Sequence, residues 1–237
     1  TGIRITHEHT DHTQALGVLA AKHNIPVYCN RLTQEAIAAQ FQARFEFRLF
    51  GTGGEFDVGD VRVETFAVPH DAHDPVGFMI RTDDGAIGIL TDLGHATKLV
   101  IERSRTANVL VLESNHDLHL LQADTRRPWS TKQRILSRHG HLSNDAAAQV
   151  AEQIATDDLQ QLILVHLSSD CNRPELAQGA VRGALLRIGA SHVKVTTAAQ
   201  DVPCPTVSLA PKPAAPIERL SALAAVIAGE PISLKFR

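Results

Sequence analysis

The chain has 237 residues, 43% of them hydrophobic, and a formal net charge of −3. Length alone allows one sizeable domain or two small ones, and the apolar content is that of an ordinary globular protein rather than a fibrous or disordered one. No run approaches the roughly 20 apolar residues of a membrane span, and the slight negative balance excludes an overall field that draws in nucleic acid, so any such contact must use a local patch and bound metal.

Residues 2–6 read as the end of a strand. Directly after them, Thr6-His7-Glu8-His9-Thr10-Asp11-His12 holds an H-x-H-x-D-H pattern, four metal-ligand side chains in six positions. Imidazole nitrogen and carboxylate oxygen are the donors that zinc and related divalent ions prefer. In extended backbone His7 and His9 point to the same side. Asp11 and His12 then project from the turn in new directions, so the run can offer two ligands to one ion and two to a neighbour.

Residues 13–24 carry apolar positions at helical spacing, and 25–29 form a short buried strand. A helix follows over 32–40. Turns at 51–54 and 58–61 frame a hairpin-like stretch, and 61–66 alternate as a half-buried strand should. Strands 76–82 and 86–91 flank Asp83-Asp84-Gly85, a hairpin signal. Residues 108–113 form a compact apolar strand. Ser143 can cap a helix running to 155. A buried strand spans 161–166, a helix spans 173–188 and stops at Gly189, and a last strand covers 192–197. Strands followed by helices, with hairpins between, imply mixed sheets covered by helices, an α/β (α+β) architecture. From Pro203 the chain is rich in Pro and Ala and reads as a tail, with a short amphipathic helix possible over 217–227. The expected division is a domain over 1–200 and a tail over 201–237. Cys29, Cys171 and Cys204 are widely spaced without a C-x-x-C, which fits a reducing compartment better than a disulfide framework.

Three later positions supply ligand-type side chains at the same kind of place as His7. His70 follows a strand at Val68-Pro69, Asp92 stands at the strand-to-loop corner of Thr91-Asp92-Leu93-Gly94, and His166 ends Leu164-Val165. Ligands gathered from several strand ends are how a rigid scaffold builds a metal pocket. His73 competes with His70, which follows its strand more directly. Glu113 closes a buried strand, and His141 precedes a helix. A carboxylate beside an imidazole raises its pKa, so such a pair can act as general acid near neutral pH. His116 could contact phosphate or hydrogen-bond a ligand. The one basic run with an aromatic, 126–134, offers Arg126 and Arg127 to phosphates and Trp129 to a base.

Together, His7-x-His9-x-Asp11-His12 and the runs VPHDAHDPVGFMI, LTDLGHAT, VLESNHDLHLL, RRPWSTKQRILSRHGHLSND and LVHLSSDCN resemble the metallo-β-lactamase fold superfamily of binuclear hydrolases, and within it the YycJ/WalJ branch. The resemblance covers residues 1–197 and implies a four-layer αββα sandwich. It implies that His7, His9 and His70 hold one ion, that Asp11, His12 and His166 hold the other, and that Asp92 bridges them. The order Glu113 then His141 resembles the proton-donating pair of related phosphodiesterases such as ribonuclease Z. The branch further implies a cytoplasmic 5′-to-3′ DNA exonuclease using a bridging hydroxide and two divalent ions, zinc or manganese. Members carry further strands and a Gly/Ser-rich turn before the first motif, so a segment is expected to be missing here. Two rival readings share the residues: a metallo-hydrolase of a small thioester or lactone, and a non-catalytic, metal-stabilised nucleic-acid-binding or regulatory module.

Overall fold

A computed structural model describes residues 1–209 of the chain. The helix expected over 217–227 lies outside those residues, and 201–209 carry neither helix nor strand. In chain order the elements are β1 (Ile3–Arg4), α1 (Thr10–Thr13), α2 (Leu16–His23), β2 (Val27–Cys29), α3 (Arg31–Gln40), β3 (Phe47–Leu49), β4 (Glu55–Val58), β5 (Val61–Ala67), β6 (Val76–Thr82), β7 (Gly85–Leu90), α4 (Lys98–Ser104), β8 (Val109–Glu113), α5 (Leu118–Ala123), α6 (Trp129–Ile135), α7 (Asn144–Ile154), β9 (Gln161–Val165), α8 (Pro174–Arg187) and β10 (Lys194–Thr197).

Two sheets result. The first three strands pair in parallel in the order β1-β2-β3, and the other seven form a sheet in the order β10-β9-β8-β7-β6-β5-β4. From β4 to β7 the large sheet is antiparallel, and from β7 to β10 it is parallel. The antiparallel half is joined by short turns, two of which need Gly59 and Gly85 at positive φ. The parallel half needs crossovers, and helices supply them.

Side-chain alternation sorts the strands into layers. In β2, Val27 and Cys29 turn toward Leu16, Ala20 and Ile37 of α2 and α3. Tyr28, between them, turns the other way and buries with Phe50, Val63, Val76 and Phe78. Its ring stacks on Phe56, which in turn stacks on Phe50. On the far face of the large sheet, Leu110, Leu112, Leu162 and Leu164 pack with Val100, Ile154, Val181 and Leu185 from α4, α7 and α8. Helix, sheet, sheet, helix is the αββα order the sequence implied.

Local chemistry sets most element boundaries. Asn30 accepts from Thr33 N and starts α3, and Ser143 accepts from Ala146 N and starts α7, as its position suggested. The helix expected over 13–24 is instead two pieces, α1 and α2. The His9 carbonyl gathers His12 N, Thr13 N and the Thr13 hydroxyl, which turns Asp11 and His12 back toward the strand ends. Helices α4 and α5 escape periodicity because each spans under two turns, although Thr97 and Asp117 cap them in the ordinary way.

The pairing places the chemistry. β5 and β7 both run antiparallel to β6, so they point the same way, and β8 and β9 follow β7 in parallel. Residues after the ends of β5, β7, β8 and β9 therefore emerge on one edge, where His70, Asp92, Glu113 and His166 stand. Val76 N donates to Thr6 O at 3.1 Å and ties the loop after β1 to the same edge.

Candidate metal centre

Seven side chains converge at that edge in two adjoining groups. Ligand atoms of His7, His9 and His70 lie within 4.8 Å of one another, and so do those of Asp11, His12, Asp92 and His166. His9 Nδ1 lies 3.3 Å from His70 Nε2, and the His7 and His12 ring centroids are 4.2 Å apart, so the groups adjoin. Asp92 reaches both: its Oδ2 is 3.0 Å from His12 Nε2, and its Oδ1 is 3.5 Å from His166 Nε2 and 3.7 Å from His70 Nε2.

The imidazoles are oriented from behind. The His7 and His12 Nδ1 atoms both sit on the Thr6 hydroxyl, at 3.0 and 3.2 Å. His70 Nδ1 donates to the Gly140 carbonyl at 3.1 Å. Each contact leaves Nε2 facing the cleft, the arrangement that metal-ligating histidines use. His7 Nε2 is buried without a hydrogen-bond partner, and Asp92 Oδ2 has no aligned donor despite its proximity to His12. Buried polar atoms left unpaired in this way are costly. A divalent cation would satisfy them, and the His/Asp donor set suits one. Asp92 and His166 also adopt left-handed backbone, φ 57° and 60°. Strain of about 1–3 kcal/mol per such residue is characteristic of functional corners.

Glu113 is the hub of a third set, with Asp92, His141 and His166. It is fully buried, and one oxygen accepts from His141 Nδ1 at 2.7 Å and from His166 Nδ1 at 2.8 Å. The other oxygen accepts from Leu93 N and Leu142 N, both at 3.1 Å, which pins the loops after Asp92 and around His141. Asn115 adds a hydrogen bond to the His166 carbonyl. Burial opposes the Glu113 charge, but the His141 and His166 hydrogen bonds outweigh it and hold the carboxyl below its usual range. Burial likewise opposes protonation of His166, yet Asp11, Glu113 and Asp92 raise it to about 11. His141 moves up by the same balance, through Glu113. For Asp11 the His166 hydrogen bond prevails over burial and brings the carboxyl to about 2. His7 goes the other way: burial, then His12, lowers it to about 3.

The remaining sequence candidates are placed as follows. His73 turns away from the ligands and meets Glu8 Oε1 at 2.5 Å. His116 is 1% exposed with neither ring nitrogen paired, and burial lowers it to about 4. Trp129 opens α6 and is 64% exposed. Arg126 pairs with Asp170 at 2.6 Å, and Arg127 pairs with Asp124 and Asp170, so both guanidiniums are engaged by carboxylates. Sequence reasoning did not single out Thr6 or Gly140 as orienting groups, or the contact between Glu113 and His166. Thr6 sits inside the first motif, one and six positions from its partners, and was legible there; Gly140 and His166 lie 70 and 53 positions from theirs, which leaves no local signal.

With this geometry in hand, comparison with known proteins is direct. Residues 1–167 match the beta-lactamase superfamily domain. The chain belongs to the metallo-β-lactamase fold family and is a YycJ/WalJ-like metal-dependent hydrolase. It is 38% identical over 188 residues to exodeoxyribonuclease YycJ of Bacillus anthracis, covering 78% of this chain and 70% of that one. It is 34% identical over 179 residues to exodeoxyribonuclease WalJ of Streptococcus pneumoniae, covering 74% and 66%. The crystal structure of YhfI from Bacillus subtilis, 15% identical, shares the fold at a TM-score of 0.61, covering 83% of this chain and 73% of that one. Divalent-metal binding follows from the family and from the clustered donors. Among the described residues no helix is long and apolar enough to cross a membrane.

Proposed function

We propose that the protein is a cytoplasmic DNA exonuclease that hydrolyses phosphodiester bonds from the 5′ end of a strand, with two divalent ions in the cleft. Glu113 carries this reading: a single buried carboxylate orients both a ligand, His166, and an imidazole, His141, whose other nitrogen is free for a leaving oxygen. The names of the two relatives support DNA as substrate. His7, His9 and His70 would hold one ion, Asp11, His12 and His166 the other, and Asp92 would lie between them. Zinc and manganese both suit these donors. Such ions, when bound, would lower the pKa of a water and offset charge on the attacked phosphate.

The chain's own residues supply the rest. Asp11, with a side chain 58% exposed, faces the cleft and can orient that water and take its proton. His141 keeps Nδ1 on Glu113, which favours the protonated ring against the opposing effect of burial and leaves Nε2 to serve the departing oxygen. Trp129 presents an exposed ring on which a base can stack.

The test uses 5′-phosphorylated, end-labelled duplex DNA with Mn²⁺ or Zn²⁺, beside Asp11→Ala. Stepwise loss from the 5′ end, abolished in the variant, is expected. An uncut strand with both ions bound would remove the nuclease reading and favour a small ester substrate or a non-catalytic role.

A further inference from the structure

A DNA strand entering this cleft carries a phosphate on each side of the bond to be cut, and the seven clustered ligands account for one phosphate. The sequence offered Arg126 and Arg127 for the others, but carboxylates occupy both. Two other arginines reach the site. Arg134, on α6, pairs through Nε with Asp71, whose Oδ1 is 3.4 Å from His70 Nε2. It therefore stands one carboxylate away from the first ligand group. Arg138 donates to His95 Nε2 at 3.1 Å, and His95 Nδ1 donates back to the Arg138 carbonyl at 3.0 Å. His95 lies on the loop that follows Asp92.

Main-chain packing fixes both arginines at the rim. Asp71 N donates to His139 O, and Gly94 N donates to Pro69 O. A Cβ at Gly94 would fall 2.4 Å from the Arg138 carbonyl, and one at Gly140 would fall 2.3 Å from that of Arg134. The 134–140 segment is thus pressed onto the loops bearing His70 and Asp92. Both side chains are nevertheless solvent-facing, with Arg134 60% exposed. Arg126 and Arg127 each meet two carboxylates, Asp124 and Asp170, whereas Arg134 meets Asp71 alone; a single exposed ion pair is weakly held, and a phosphate offers a guanidinium a bidentate partner in its place. With a net charge of −3 the protein needs such a local patch to hold a polyanion.

We propose that Arg134 and Arg138 form a rim that grips the backbone phosphates of the DNA strand flanking the scissile bond, Asp71 yielding Arg134 when the strand arrives. This rests on the nuclease reading and assigns its strand path along the side of the cleft that carries His70.

The test compares wild type, the Arg134→Ala/Arg138→Ala double variant, the corresponding double Lys variant, and Arg62→Ala, an exposed ion-paired arginine on β5, as control. Each metal-loaded protein is given a 5′-phosphorylated single strand and bis-para-nitrophenyl phosphate, a small diester without flanking phosphates. For the strand, KM and the salt dependence of anisotropy-measured binding are recorded. In the Ala variant KM for the strand should rise on the order of tenfold or more, and the slope of log affinity against log salt should fall by about one per arginine. Its loss on the strand should exceed its loss on the small diester about tenfold. The Lys variant should keep the wild-type slope, and Arg62→Ala should match wild type throughout. Unchanged KM and slope in the Ala variant, equal losses on both substrates, or a slope lost with lysine too would each overturn the rim. A wild type that cleaves the small diester but no strand would instead overturn the nuclease reading, and the rim with it.

Discussion

His7 and His70 are turned toward the cleft by uncharged groups, the Thr6 hydroxyl and the Gly140 carbonyl, whereas His166 and His141 are turned by an ionised one, Glu113. The first end is buried, and its His7 imidazole is held low, at about 3. The second end is more open, and its His166 imidazole is raised to about 11 by the carboxylates around it. Two halves of one cleft are thus preorganised by different physics. Packing and neutral hydrogen bonds place the first trio. A buried charge places His141 and His166 and couples them to each other.

The largest expected effect comes from removing that charge. Glu113→Gln should lower kcat on DNA by about 10³-fold, within the range of general acid–base contributions. It should also destabilise the fold by about 3–5 kcal/mol, because two imidazoles lose one buried anion. Single-turnover kinetics and thermal melts measure the two, and a variant with wild-type kcat would end the distinction between the halves. Metal removal should come next. A chelator should cost about 3 kcal/mol of stability relative to protein held at one hundred times Kd, and Asp92→Asn should erase that difference in a melt with and without metal. Equal stabilisation of wild type and variant by metal would show that Asp92 does not join the groups.

Thr6→Val sharpens the neutral side. It removes the atom that orients His7 and His12 together, and metal affinity should fall about 10–100-fold, while Thr6→Ser should keep it. Titration calorimetry decides, and a valine variant with undiminished affinity would mean that packing alone holds the rings. The smallest effect is a control away from the cleft. Glu64 pairs with Arg81 and Arg103 on the helix-covered face of the large sheet. The Arg81 hydrogen bond outweighs burial and holds its carboxyl below its ordinary 4.5. A depressed carboxyl stabilises the fold above its unfolded pKa, and the gain is lost as pH falls through the folded value. Glu64→Gln should therefore cost about 1 kcal/mol at neutral pH, and the difference from wild type should shrink as pH falls below 4.5 and vanish in melts taken below the depressed folded value. A difference that persisted in acid would mean that the pair's charge is not what stabilises it.

The strand-end candidate ligands were legible because their signals are local. His7 to His12 form one contiguous run, and His70, Asp92 and His166 each follow an apolar strand whose alternation can be read without a structure. The layering came less directly, from the family resemblance, and the observed αββα arrangement agrees with it. Helices α4, α5 and α6 were not anticipated, because at six or seven residues they are too short to show a period. The break between α1 and α2 was missed because the His9 carbonyl overrides an apolar spacing that would otherwise continue.

By itself, then, the chain's order of residues determined the candidate ligand residues and the sheet-and-helix class, since each depends on residue type and near-neighbour spacing, while the Glu113 and His141 pairing came from the family resemblance. Only the tertiary structure decided which carboxylate each arginine meets. Arg126 and Arg127 meet Asp170, more than forty positions away, while Arg134 meets Asp71, sixty-three positions back. An ion pair depends on distance in space, and distances between remote segments exist only once the sheets have brought them together.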